Sequence, residues 1–64
     1  MSWQERLQVE YDELTERIAN LLEFFDRNEF DDLEEEEKSL LLNQHTAMTE
    51  YRTILISRLY RLKG

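Results

Sequence analysis

The chain has 64 residues, with no cysteine, no proline and one glycine, Gly64. That length excludes a multi-domain enzyme, and the absence of cysteine excludes a disulfide-stapled scaffold. The formal net charge is -7 with 36% charged residues, yet 41% of the chain is apolar and 11% aromatic, too hydrophobic for a disordered acidic tail.

The first helix opens at Ser2, an N-cap residue followed three positions later by Glu5, the spacing of a capping box. Leu7, Tyr11, Leu14, Ile18, Leu21 and Phe25 then recur at alternating intervals of four and three, which is a heptad stripe. Trp3, Leu22 and Phe24 widen this face beyond what one partner helix covers. The spacing predicts a helix over about 3–27. Asp26 to Asp32 combines poor helix formers with one apolar residue, Phe30, and places a turn at about 28–32.

Asp32 and Glu35 form a second capping-box pair, and Glu34 to Glu37 suit the positive end of a helix dipole. A second helix is therefore expected over about 33–62. Its expected seam is Leu41, Gln44, Met48, Tyr51, Leu55, Arg58 and Leu62. A short turn makes the helices antiparallel neighbours, with facing residue numbers adding to about 60. The fold class is all-α: an antiparallel, coiled-coil-like two-helix hairpin forming one domain, 1–64.

Ordering about 64 residues costs on the order of 100 kcal/mol, which so short a chain offsets poorly alone. The hairpin is accordingly expected to assemble into a helical bundle as a homo-oligomer, a dimer or higher. Trp3, Leu22, Phe24, Leu40, Ile54 and Tyr60 are the apolar surplus that assembly would cover. No run of about 18 apolar residues is present, and the start of the chain lacks the basic and apolar regions of a signal peptide, so a cytoplasmic protein without membrane contact is expected.

Charge is segregated along the chain. Residues 1–42 hold 14 acids against 4 bases, a balance of -10, and residues 43–64 hold 1 acid against 4 bases, a balance of +3. Dipole complementation explains much of this. Arg52 and Arg58 are also candidates for a small anion site. The run Glu34 to Glu37 points all round a helix, and the single histidine, His45, has no second histidine or cysteine to join it. No metal site and no cofactor are expected. No nucleophile constellation and no glycine-rich loop occurs, so enzymatic activity is not expected either.

Gln44, Tyr51 and Arg58 repeat every seven residues in the expected seam, where an idealised hairpin carries Leu or Ile. Such residues set register and oligomer state, with Arg58 snorkelling past the core, or they line a ligand crevice once hairpins associate. In the second case Tyr11, Gln44, Tyr51, Arg52 and Arg58 supply an aromatic face, an amide edge and guanidinium forks for phosphate.

The pattern Glu10-x-x-Glu13-Leu14-x-x-x-Ile18, Leu21, Phe25, Phe30-x-x-Leu33, Leu41, Gln44-x-x-x-Met48-x-x-Tyr51-x-x-x-Leu55-x-x-Arg58-Leu59 resembles a group of very small two-helix proteins encoded by tailed bacteriophages. The resemblance covers about residues 10–59. It implies a viral accessory protein made in the bacterial host cytoplasm, of a kind often devoted to disabling host defence. It brings no assigned functional residues.

Two functional classes follow. One is a counter-defence protein that binds stoichiometrically and sequesters a nucleotide-derived immune signal between subunits, a cyclic nucleotide or ADP-ribose-type ligand. The other is an acidic inhibitor or adaptor of a host protein, DNA mimicry included, with no small-molecule ligand. Neither binds nucleic acid directly. The Gln/Tyr/Arg line favours the first and the net charge of -7 favours the second.

Overall fold

The computed structural model describes residues 2–63, the side chain of Lys63 excepted, and they form α1 (Trp3–Phe25), α2 (Asn28–Asp31) and α3 (Glu35–Lys63). The two long helices pack side by side and antiparallel, in a rod of 45 × 17 × 15 Å. Among the described residues no helix is long and apolar enough to cross a membrane.

α1 starts as its sequence dictates. The Glu5 N–H donates to Ser2 Oγ at 3.2 Å, satisfying a backbone donor that a helix start otherwise leaves open. At the other end Asp26 N–H and Arg27 N–H donate to the carbonyls of Glu23 and Phe24, a tightening that closes α1 at Phe25, two residues before the expected end. The expected turn carries α2, whose Phe30 ring stands edge-on to Phe24 and Phe25 with centroids 6.1 and 5.1 Å away. Lys38 Nζ lies 5.8 Å from the same ring. Half-burial of Phe30 against these rings favours a turn of helix over Asn28–Asp31.

That turn displaces the start of α3. Asp32, expected to cap the second helix, instead closes α2, its N–H donating to the Asn28 carbonyl at 3.2 Å. α3 begins at Glu35, with Glu35, Glu36 and Glu37 in its first turn and Glu35 paired to Lys38 at 3.4 Å. The hydroxyls of Thr46, Thr49 and Thr53 each donate to the carbonyl four residues back, so these side chains are satisfied within the helix that carries them.

Leu7, Leu14 and Leu55 are the buried core, with Tyr11, Ile18, Met48 and Leu59 packed against it. The α1 stripe therefore lies where its spacing places it. α3 does not follow its expected seam. Leu41, Met48 and Leu55 face α1, but the line completing the stripe is His45, Arg52 and Leu59, all at least half-buried, while Gln44, Tyr51, Arg58 and Leu62 are exposed. Successive residues sit about 100° apart, so the inward line is set one residue further on. The roll places Leu59 on the core, seats the His45 ring 5.8 Å from Phe25, and lets Arg52 reach α1.

His45 is thus a seam residue whose Nε2 is buried with no hydrogen-bond partner among the described residues. Facing pairs run beyond the expected register, by about one turn for Tyr11 with Arg52 and by nearly three for Phe25 with His45, because α2 lengthens the connection. The apolar surplus is real: Trp3, Leu22, Leu40, Ile54 and Tyr60 are exposed, and Phe24 alone is half-covered, by Phe30.

Candidate functional site

The polar centre of the hairpin is Arg52. Its Nε donates to Thr15 Oγ1 at 3.0 Å and one terminal nitrogen donates to Tyr11 Oη at 3.1 Å. Its Cζ lies 5.3 Å from the centroid of the Tyr11 ring. α1 positions both acceptors: Tyr11 and Thr15 are four residues apart, so their side chains rise from one face on successive turns. α3 brings Arg52 between Met48 and Leu55, where its aliphatic stem extends the seam and its fork emerges at the edge.

Both partners of this guanidinium are neutral hydroxyls. The chain carries 15 acids, yet the salt bridge formed among the described residues is Lys38 with Glu35, more than a helical turn away on the acidic half. A part-buried arginine held by two neutral groups has donors to spare, since guanidinium offers five N–H groups in a rigid fork. That arrangement suits an incoming phosphate or carboxylate.

Beside Tyr11, toward the open end of the hairpin, lies a shallow cleft of about 280 Å³ lined by Gln8, Tyr11, Ile56, Leu59 and Tyr60. Its walls are two phenol rings, aliphatic side chains and one amide, and Tyr60 is 77% exposed at its rim. One aromatic base or one nucleoside is the scale of group it accepts; drug-sized ligands occupy sites of roughly 300–1,000 Å³. Tyr11 belongs both to the cleft and to the Arg52 cluster, so an apolar flat surface and a cation adjoin.

The five residues singled out in the sequence are divided by the roll of α3. Tyr11 and Arg52 meet directly. Gln44, Tyr51 and Arg58 share a separate, exposed line, on which Gln44 Nε2 approaches Met48 Sδ at 3.9 Å and Tyr51 is 41% exposed. Within one hairpin these three do not join the Arg52 cluster. Thr15, Gln8, Ile56 and Tyr60 were not expected to line a site. Thr15 carries a legible signal, a polar residue one turn after Tyr11 on the flank of an apolar stripe, whereas nothing local distinguishes Gln8, Ile56 or Tyr60.

Among the described residues no three His, Cys, Asp or Glu side chains are placed to hold a metal ion. A protein-family model described as Sequestin matches residues 1–61. Comparison with curated proteins and with solved structures finds no match.

Proposed function

We propose that this chain, which belongs to the Sequestin family, binds a nucleotide-derived signal stoichiometrically and withholds it from its receptor, without converting it. The family's name is consistent with sequestration, and the observation that carries the reading is the Arg52 guanidinium, part-buried, without a carboxylate partner among the described residues and one ring away from an aromatic cleft. The cleft between Tyr11 and Tyr60 takes a base. Arg52 takes an adjoining phosphate. A cyclic nucleotide or ADP-ribose-type molecule has both parts and extends beyond one hairpin, so further subunits of a homo-oligomer cover the remainder. A phage-encoded, anti-defence role in a bacterial host cytoplasm is part of this reading.

Calorimetric titration with cyclic dinucleotides and with ADP-ribose-type compounds tests it. Heat with at least one of these, lost in Arg52→Ala while the helical circular dichroism is retained, is the expected result. Absence of heat with every compound removes the support for a nucleotide ligand.

The second reading, an acidic protein-binding inhibitor, draws on the exposed acids Glu29, Asp31, Asp32 and Glu34 to Glu37, which crowd the turn end of the hairpin with Lys38 as their paired base. Native mass spectrometry of protein recovered from defence-active cells separates the two, because a retained mass near that of a nucleotide and a retained protein are unmistakable.

A further inference from the structure

α3 carries a second heptad stripe beside the one that α1 fills. Leu40, Gln44, Ala47, Tyr51, Ile54 and Arg58 recur at intervals of 4, 3, 4, 3 and 4, and all six are exposed, Leu40 at 56% and Ile54 at 58%. Not one of them is acidic, in a chain with 15 acids. The accessible surface of the hairpin is 5209 Å² for 7.9 kDa. A compact monomer of that mass exposes roughly 4,400 Å², so the excess is roughly 800 Å², the area one partner contributes to a standard protein interface.

We infer that this stripe docks against the same stripe of a second copy of the chain, antiparallel, with Ala47 facing Tyr51 of the other copy across a two-fold axis. Three features select that occupant and direction. The interval pattern reads the same in both directions, so the stripe superposes on its own reverse, Leu40 meeting Arg58 and Gln44 meeting Ile54. The small side chain of Ala47 sits opposite the large one of Tyr51, which lets the two helices approach closely. The charges also match: the reversed copy lays Arg58 and Arg61 beside Glu36 and Glu37 at each end, whereas a parallel pair would set acid against acid and arginine against arginine.

This inference rests on the self-association in the proposed function and names the surface that performs it. Gln44, Tyr51 and Arg58 become register-setting interface residues, and the Arg52 clusters of both copies stay clear of the contact. The Arg52 contact within each hairpin is therefore independent of α3 pairing, whereas cover of a ligand by a second hairpin is not.

Sedimentation equilibrium at micromolar concentration reads the prediction. The wild-type chain forms a dimer or an assembly of dimers. Arg58→Glu with Arg61→Glu sets acid against acid at both ends and raises the dissociation constant at least about tenfold. Adding Glu36→Arg and Glu37→Arg to that variant restores the wild-type mass, as does mixing it with a Glu36→Arg, Glu37→Arg chain. Ala47→Glu, at a position exposed in the single hairpin, gives a monomer with unchanged helicity. A monomeric wild type, an arginine-reversed variant that associates like wild type, or a four-fold variant that fails to recover overturns the pairing. Titration of the wild-type dimer with an ADP-ribose-type compound keeps the two readings apart, since a wild type that pairs as described but takes up no ligand retains the pairing and loses only the ligand.

Discussion

Arg52 on α3 and Tyr11 on α1 are joined across the seam at 3.1 Å, 41 positions apart in sequence, and no acid takes part. The contact ties the two long helices together and leaves a charged fork at the rim of an aromatic cleft. A bond between a cation and a phenol is worth less to stability than its neighbours in the core, and more to an anion that arrives later.

Removing the acceptor tests the first half of that statement. Tyr11→Phe is expected to lower stability by about 1.5–3 kcal/mol, the net value of one hydrogen bond to a charged group, with the ring still packed on the core. Urea denaturation followed by circular dichroism measures it. A loss above about 3 kcal/mol would mean that the Tyr11 hydroxyl holds more than Arg52.

Arginine loss tests the second half. Arg52→Ala removes a charge-assisted contact of about 1.5–3 kcal/mol to a bound phosphate, an affinity loss of roughly ten- to a hundredfold. Arg58→Ala, on the outward line, should leave intrinsic affinity nearly unchanged and alter assembly instead. Calorimetry and sizing of the two variants side by side distinguish these roles, and equal losses of affinity in both would show that one ligand touches both arginines.

Core truncations should be ranked by burial. Leu55, with no exposed surface, and Leu14, at 5%, should each cost about 2–5 kcal/mol on substitution by alanine. Met48 is half-buried and should cost less, and Glu36→Ala should stay within about 0.5 kcal/mol. Thermal melts in which Met48→Ala proves more damaging than Leu55→Ala would contradict the observed order of burial along α3.

His45 offers a substitution expected to stabilise. Its Nε2 is buried beside Phe25 without a partner among the described residues, and an unsatisfied buried polar group costs about 1–3 kcal/mol. His45→Leu should raise the melting temperature by several degrees in a domain of this size. A fall of similar size would indicate that the imidazole is satisfied in the assembled protein by a group from another subunit.

The hairpin itself is legible in the sequence. Ser2 fixes one helix start, the alternating interval of Leu7 through Phe25 fixes which side of α1 is inward, and the absence of proline and internal glycine lets both helices run on. Each of these is a local property: a cap needs its next three residues, and a stripe needs only its own period. The same locality misled at Asp32, since a capping pair is possible there, but Phe30 gains more by packing on Phe24 and Phe25, and the turn of helix it forms takes Asp32 as its end.

The roll of α3 was beyond the sequence alone because that helix is apolar on more than one side. Leu41, Met48 and Leu55 belong equally to a stripe completed by Gln44, Tyr51 and Arg58 or to one completed by His45, Arg52 and Leu59, and helical period does not choose between them. Contact with α1 chooses. Leu59 finds the core, His45 finds Phe25, and Arg52 finds two hydroxyls that exist only once Tyr11 and Thr15 are brought alongside. The composition and spacing thus determined a helical hairpin with more apolar surface than one chain can bury, whereas the packing of α3 on α1 decided which arginine faces a cleft and which faces outward.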